Sequence, residues 1–238
     1  MPLCRKSWMA LCLVFSLAVA PLAAHAEAPT SQPATLAPDS FDLETLLGNP
    51  PPDDSVEHRV EIDELLMLQN DRTPTDIARC VAEDDATVFS FADVLGPTFD
   101  EKNLPITTQL IGHANKVTKA ILSAAKNKYH RPRPPVDNPQ INPCLKLDNT
   151  FSYPSGHAVR GIVWATLLSE IFPSKKDALM ARGRQIGEDR LLAGMHYPSD
   201  IVAGQKLGAE IARRLLADPT FADRLAAARQ ECQSIIKP

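Results

Sequence analysis

Several things are scarce in this 238-residue sequence, and each absence narrows what the chain can be. Strand-like alternation of apolar and polar residues is nearly missing, which argues against a sheet-based fold. Past residue 26 no uncharged stretch is long enough for a membrane-spanning helix, so none is expected in that part of the chain. Positive charge is not in excess: 25 Lys and Arg face 29 Asp and Glu, for a net charge of −4. Bulk nucleic-acid binding needs a basic footprint, so no nucleic-acid partner is expected. Cysteine is sparse. Two of the five lie in the first 26 residues, leaving Cys80, Cys144 and Cys232. Their wide spacing resembles no zinc site, where ligands come in close pairs. An odd count leaves at least one thiol unpaired within the chain, and Cys80 with Cys144 is the preferred pair. No internal repeat is present.

The first 26 residues read as a leader rather than as fold. Arg5 and Lys6 form a short positive region, an apolar run follows over 8–22, and Ala24-His25-Ala26 supplies a small-x-small cleavage pattern. The run is short for a spanning helix and Pro21 interrupts it. Cleavage after Ala26 is therefore expected, with a periplasmic or secreted product. The leader carries two basic residues and no acidic one, so its loss takes the net charge from −4 to −6. The rest is long enough for one domain with a real core.

Residues 27–50 are expected to form a flexible N-terminal segment, rich at first in Ala, Pro, Thr and Ser. Pro50-Pro51-Pro52 marks a rigid, extended entry to the folded part at 51–238. From Ser55 the pattern is helical. Val56, Val60, Ile62, Leu65, Leu66 and Leu68 are expected to face inward from a helix ending near Asn70. Thr73-Pro74-Thr75-Asp76 reads as a helix start, with a Thr cap, Pro at the first position and an acid in the first turn. That helix is expected to run to Gly96-Pro97, with Ile77, Val81, Val88, Phe89 and Phe91 inward. Another is expected over 105–128. Six prolines then mark 130–154 as a long loop, a class of segment that often carries function. Helices resume over 156–171, 175–192 with Ser174 as cap, 199–216, and 219–235 capped by Asp218. The domain is expected to be all-α, a single-domain helical bundle whose helix ends and loops carry the chemistry.

Three clusters stand out: Lys126 to Pro134, Pro154-Ser155-Gly156-His157, and Arg190 to Asp200. Their residue types agree with phosphoryl transfer. That reaction needs cations around three equatorial oxygens, a nucleophile in line and an acid for the leaving oxygen. Lys126, Arg133 and Arg190 can supply the cations; arginine grips two phosphate oxygens and stays charged. Ser155 and Gly156 open a helix, where free backbone N–H groups favour an anion, and Gly156 has no Cβ to hold a phosphate off. His196 precedes Asp200 by four residues, a spacing that lets the carboxylate fix the ring tautomer and free the other nitrogen to attack. His157, in the first turn of its helix, can protonate the leaving alkoxide. Taken alone, each cluster also fits a duller role: a solvated helix end, a polyproline segment, a turn with a cap, or a structural His–Asp pair. His113 reads as a structural histidine.

Lys-x6-Arg-Pro, Pro-Ser-Gly-His and Arg-x5-His-x3-Asp, in that order, resemble the signature of the type 2 phosphatidic acid phosphatase superfamily. Within it the chain looks most like the bacterial class A non-specific acid phosphatases, over roughly 48–235. Pro50 to Ser55 and Gly187-Glu188-Asp189-Arg190 add to the likeness. The resemblance implies the helical bundle of the vanadium chloroperoxidase kind. It also implies broad hydrolysis of phosphate monoesters through a phosphohistidine, with no metal or organic cofactor. On matching positions, His196 would be the nucleophile, Asp200 its orienting partner and His157 the general acid; Lys126, Arg133, Ser155, Gly156 and Arg190 would bind phosphate. Small phosphorylated molecules are the expected partners, and an apolar helix face could pair two copies into a homodimer. One position departs from the pattern. Asp189 stands where such proteins usually have Ser, and phosphate would repel its carboxylate. It is expected to turn away, to pair with Arg190 or Arg133, or to modulate substrate preference. Three other readings keep the phosphate cradle: a lipid-phosphate or pyrophosphate phosphatase, a vanadate-dependent haloperoxidase, and a non-enzymatic anion-binding protein.

Overall fold

The computed structural model describes residues 36–236; the leader and its cleavage site lie outside the described residues. Ten α-helices occur among them: α1 (Leu43–Leu47), α2 (Val56–Asp71), α3 (Pro74–Asp84), α4 (Ala92–Leu95), α5 (Pro105–Tyr129), α6 (Pro134–Asp137), α7 (Gly156–Ile171), α8 (Lys176–Leu192), α9 (Pro198–Leu216) and α10 (Pro219–Ile235). No strand occurs among the described residues, so the all-α expectation holds.

Helix α7 is the axle. It is apolar around most of its circumference, and a helix of that kind must be wrapped on all sides. Val159, Val163, Trp164, Leu167 and Leu168 are all buried. Helices α8 and α9 pack against it most extensively, with α5 and α10 closing the remaining sides. Each fully buried Leu or Ile contributes about 1.5–3 kcal/mol of transfer free energy. The α7–α8 contact is set by glycine. A Cβ built on Gly161 would lie 2.3 Å from the Gly183 carbonyl oxygen, and one on Gly183 would lie 2.5 Å from the Gly161 oxygen. Backbone meets backbone there, and neither side can move aside. Gly161→Ala is therefore expected to cost about 3 kcal/mol or more, as overpacking does. Thermal unfolding should show a loss of about 6 °C or more.

Local signals place most helix ends. Thr73 and Asp76 form the reciprocal capping box at the start of α3, and Asp218 caps α10. Helix α8 departs slightly from expectation: Pro173–Lys175 forms a 3₁₀ turn, and Ser174 is not its cap.

Three larger expectations are corrected. Residues 38–47 are not a flexible lead-in, because Phe41, Leu43 and Leu47 are buried in the main core. Helix α2 faces inward along a line rotated from the expected one: Leu65 is buried as expected, with Ile62 and Leu66 packed beside it. Val56 and Val60 are exposed, while His58, Glu61 and Leu65 are buried. The inward neighbour of that face is a buried arginine, and a buried cation demands polar partners. Helix α3 stops at Asp84 instead of continuing to Gly96, and Val81 is exposed. Thr87 restarts the chain by capping a separate 3₁₀ turn, Val88–Phe91. Cys80, Cys144 and Cys232 are free thiols. Cys80 and Cys144 share a small buried cluster with Ala193 and Met195. Burial, then the neighbouring Cys144, pushes the Cys80 thiol up to about 12.

No helix among the described residues is long and apolar enough to cross a membrane.

Candidate active site

The C-terminal turn of α5, the loop after it and the N-termini of α7 and α9 converge on one cavity of about 530 Å³. Lys126, Arg133, Gly156, His157 and His196 all line it. Three segments far apart in sequence thus meet in one cationic cup. Ser155, Arg190 and Asp200 lie behind its walls, each fully or almost fully buried.

His196 is the most tightly determined group. Its Nδ1 lies 3.2 Å from Asp200 Oδ2, and its Nε2 lies 3.2 Å from Arg133 Nη1. Arginine can only donate, so Nε2 accepts and Nδ1–H donates to the carboxylate. The nitrogen facing the cup therefore carries the lone pair. Burial holds the imidazole well below its ordinary pKa, and the Arg133 and Lys126 charges act in the same direction. Burial alone would raise Asp200. The hydrogen bond with His196, the Arg131 charge and Ser152 overcome that and hold its carboxyl at about 2.

Asp200 is itself braced by groups that sequence reasoning missed. Arg131 donates to Asp200 Oδ1 at 2.8 Å and to Glu61 Oε2 at 2.6 Å, and its guanidinium stacks 3.8 Å from the centre of the Tyr197 ring. Glu61 also accepts from the Ser199 amide at the start of α9. Ser152 donates to Asp200 Oδ2, and the Tyr197 amide reaches the same oxygen at 3.0 Å. Sequence offers no way to tell Arg131 from Arg133 by type. Only the fold shows that one braces the carboxylate and the other faces the cup.

The cations differ in how they are held. Lys126 Nζ donates to the carbonyl oxygens of Phe151 and Ser152. Burial and then the Arg133 charge push its ammonium down to about 7. Arg133 donates to the Thr150 and Met195 carbonyls, and its Nη2 pairs with Asp148 at 2.9 Å. Arg190 gives Nη1 to Asp84 Oδ1 at 2.8 Å, while its Nε and Nη2 are buried without a hydrogen bond, Nη2 lying 4.0 Å from Asp148 Oδ2. Asp84 and Asp148 were not anticipated. Asp84 comes from the end of α3, far upstream of Arg190, and Asp148 from the loop that follows Arg133.

Of the residues expected at the anion, Gly156 and His157 open α7 at the cavity wall, and the first turn of a helix leaves N–H donors unpaired. Ser155 is committed elsewhere. Its hydroxyl caps α7 and its amide donates to the Asp200 carbonyl at 3.0 Å. Leu122 adds a packing reason for glycine at 156, since a Cβ there would meet its side chain at 3.1 Å. His157 Nε2 lies 3.0 Å from the Asp84 carbonyl oxygen, so that nitrogen carries the proton. Burial, then the Arg190 and Arg160 charges, push this ring down to about 3.

Asp189 does not face the cup. Its buried carboxylate accepts from Arg79 Nε at 3.0 and 3.1 Å. Of the three outcomes named for it, turning away is the one found, with Arg79 rather than Arg190 or Arg133 as partner. Asp189→Ser should therefore leave the inhibition constant for phosphate unchanged and lower stability by about 1 kcal/mol, since Arg79 is partly solvated. Inhibition titrations beside thermal melts check both.

No group of three or more His, Cys, Asp or Glu among the described residues is placed to hold a metal ion.

Residues 111–221 match the model of the PAP2 superfamily. The chain is 32% identical over 146 residues to the non-specific acid phosphatase of Salmonella typhimurium, covering 59% of this chain and 58% of that one. It is 31% identical over 156 residues to the non-specific acid phosphatase of Providencia stuartii, covering 62% of each. An acid phosphatase of Zymomonas mobilis is 31% identical over 148 residues, covering 60% of this chain and 56% of that one. The matches thus span about three fifths of the length of these curated relatives. The matched span contains the three clusters that meet around the cup, and residues 111–221 of the chain are similar to the PAP2 superfamily domain.

Proposed function

We propose that the protein is an exported acid phosphatase that hydrolyses a broad range of phosphate monoesters, without a metal, through a phosphohistidine. The observation that carries this reading is the His196 tautomer: Nδ1–H is held by Asp200, and the Nε2 lone pair looks into a cup of Lys126, Arg133 and the α7 N-terminus. Relatives named non-specific acid phosphatase support the substrate class.

Nε2 attacks phosphorus and forms an N–P bond. The bond from phosphorus to the ester oxygen breaks, and its electron pair leaves on that oxygen, which takes a proton from His157. Water then attacks phosphorus, giving its proton to His157, and the N–P bond breaks to return the lone pair to Nε2. Lys126, Arg133 and Arg190 offset the charge gathered on the equatorial oxygens in both steps. Since these three supply the positive charge, EDTA should not inhibit.

The pH dependence follows from two depressed groups. In the free protein Lys126 loses its proton near pH 7 and His157 near pH 3. A bound dianion stabilises the charged form of both and raises both values. Two results are expected. The kcat/KM profile, which reports free-enzyme groups, should fall above about pH 3 as His157 discharges and again above about pH 7 as Lys126 does, placing the optimum on the acid side. Binding of sulfate, which has no titrating proton in this range, should take up close to one proton at pH 8. Calorimetry in buffers of different ionisation enthalpy measures that uptake; proton release would contradict the assignment. The direct test of function is hydrolysis of phenyl phosphate by the mature chain in the presence of EDTA. No hydrolysis between pH 4 and 8 would sink the reading.

A further inference from the structure

The cavity extends well past the cup, and its outer half has a chemistry of its own. Asn115, Thr118, Lys119, Arg160 and Trp164 line this part, from facing stretches of α5 and α7. Arg160 lies one turn beyond His157, with Nη2 3.5 Å from His157 Nε2. That nitrogen of His157 donates to Asp84, so the contact sets two donors side by side rather than forming a hydrogen bond. Arg160 Nε is buried and unpartnered, and no carboxylate lies within ion-pair distance of the guanidinium among the described residues. A half-buried arginine with no anion beside it is costly.

Its neighbours are also donors. Trp164 Nε1 donates to Asn115 Oδ1 at 2.8 Å, which occupies that oxygen and turns the Asn115 amide NH₂ outward as a donor. Thr118 Oγ1 is buried and has no partner. Lys119 is exposed at the rim. The two carboxylates that line the cavity, Asp84 and Asp148, are engaged with Arg190 and Arg133 instead.

We propose that Arg160, with Asn115, Thr118 and Lys119, forms a second oxyanion subsite that binds a carboxylate or phosphate carried by the leaving alcohol. The placement beside His157 fixes the direction, because the group that protonates the leaving oxygen stands between the cup and this subsite. Doubly anionic phosphate esters are then the favoured substrates. The proposal rests on the phosphatase reading above and adds the substrate class.

Four probes test it: phenyl phosphates bearing a carboxylate at the meta or para position, each paired with its carboxamide of nearly the same shape. The readout is the carboxylate-to-carboxamide ratio of kcat/KM, compared between the parent protein and variants, so intrinsic leaving-group reactivity cancels. A charge-assisted contact predicts that Arg160→Gln lowers the better ratio about tenfold. Lys119→Gln, at an exposed position that should not disturb folding, is expected to lower it about threefold. The parent ratio should also fall as salt rises. Hydrolysis of all four probes with ratios unchanged in both variants overturns the subsite and leaves the phosphatase reading intact. Failure to hydrolyse any probe, or phenyl phosphate itself, overturns both.

Discussion

His196→Ala should abolish turnover of phenyl phosphate, lowering kcat by at least about 10⁴-fold, because the covalent step loses its attacking atom. The fold should survive, since the residue sits at the edge of a buried pocket and not in the α7 core. Sulfate or phosphate should still bind, because Lys126, Arg133 and the α7 N-terminus remain. In the parent, Arg133 Nη1 spends a contact on Nε2 at 3.2 Å. Removing the ring frees that donor, so anion affinity should be unchanged or slightly higher. Loss of binding together with loss of turnover would mean that His196 shapes the cup rather than attacks from it.

Arg131→Ala should have the largest effect on stability. The side chain joins two buried carboxylates, Glu61 and Asp200. Removing one partner of a buried ion pair costs about 3–5 kcal/mol, chiefly because the charges left behind are unpaired. A melting temperature lower by about 10 °C is expected, with turnover impaired through Asp200. Glu61→Gln offers a milder probe: the amide still accepts from Ser199, but Arg131 loses one counter-charge. The linkage has a definite sign. The Asp200 carboxyl is depressed to about 2, with an ordinary value of 3.8. A depressed acid contributes stability that is fully present above the ordinary value and is lost as pH falls through the depressed one. The parent should therefore lose about 2 kcal/mol between pH 4 and pH 2. In Arg131→Ala that loss should begin at higher pH, because Asp200 no longer has its cation. Melts from pH 2 to 7 check both.

The parts of this architecture that were legible in sequence are those whose signals are local. The α3 start at Thr73-Pro74, the α7 start at Ser155-Gly156 and the Asp218 cap each follow from a few adjacent residues. His196 and Asp200 could be paired because four residues place them together at a helix start. The missed parts depend on distant partners. Helix α2 carries Val56 and Val60 on the side that ends up exposed, and nothing within the helix says that His58 and Glu61 must turn inward to meet Arg131, some seventy residues away. Asp189 was identified as a departure, but its partner Arg79 lies 110 residues upstream. Asp84 reaches the site only because α3 stops there, which the apolar residues at 88–91 concealed. The glycines of α7 and α8 gave no periodic signal. Their role is visible only where two backbones touch.

The central claim is that the imidazole of His196, held by Asp200, forms a bond to phosphorus. Rapid quench into alkaline detergent of the protein turning over ³²P-labelled phenyl phosphate, followed by peptide mapping at alkaline pH, tests it most directly. The expected result is label that is stable in base, lost in acid, carried by the peptide containing His196, and absent from His196→Ala. Hydrolysis without any protein-bound label at saturating substrate, or label on a different residue, would contradict it.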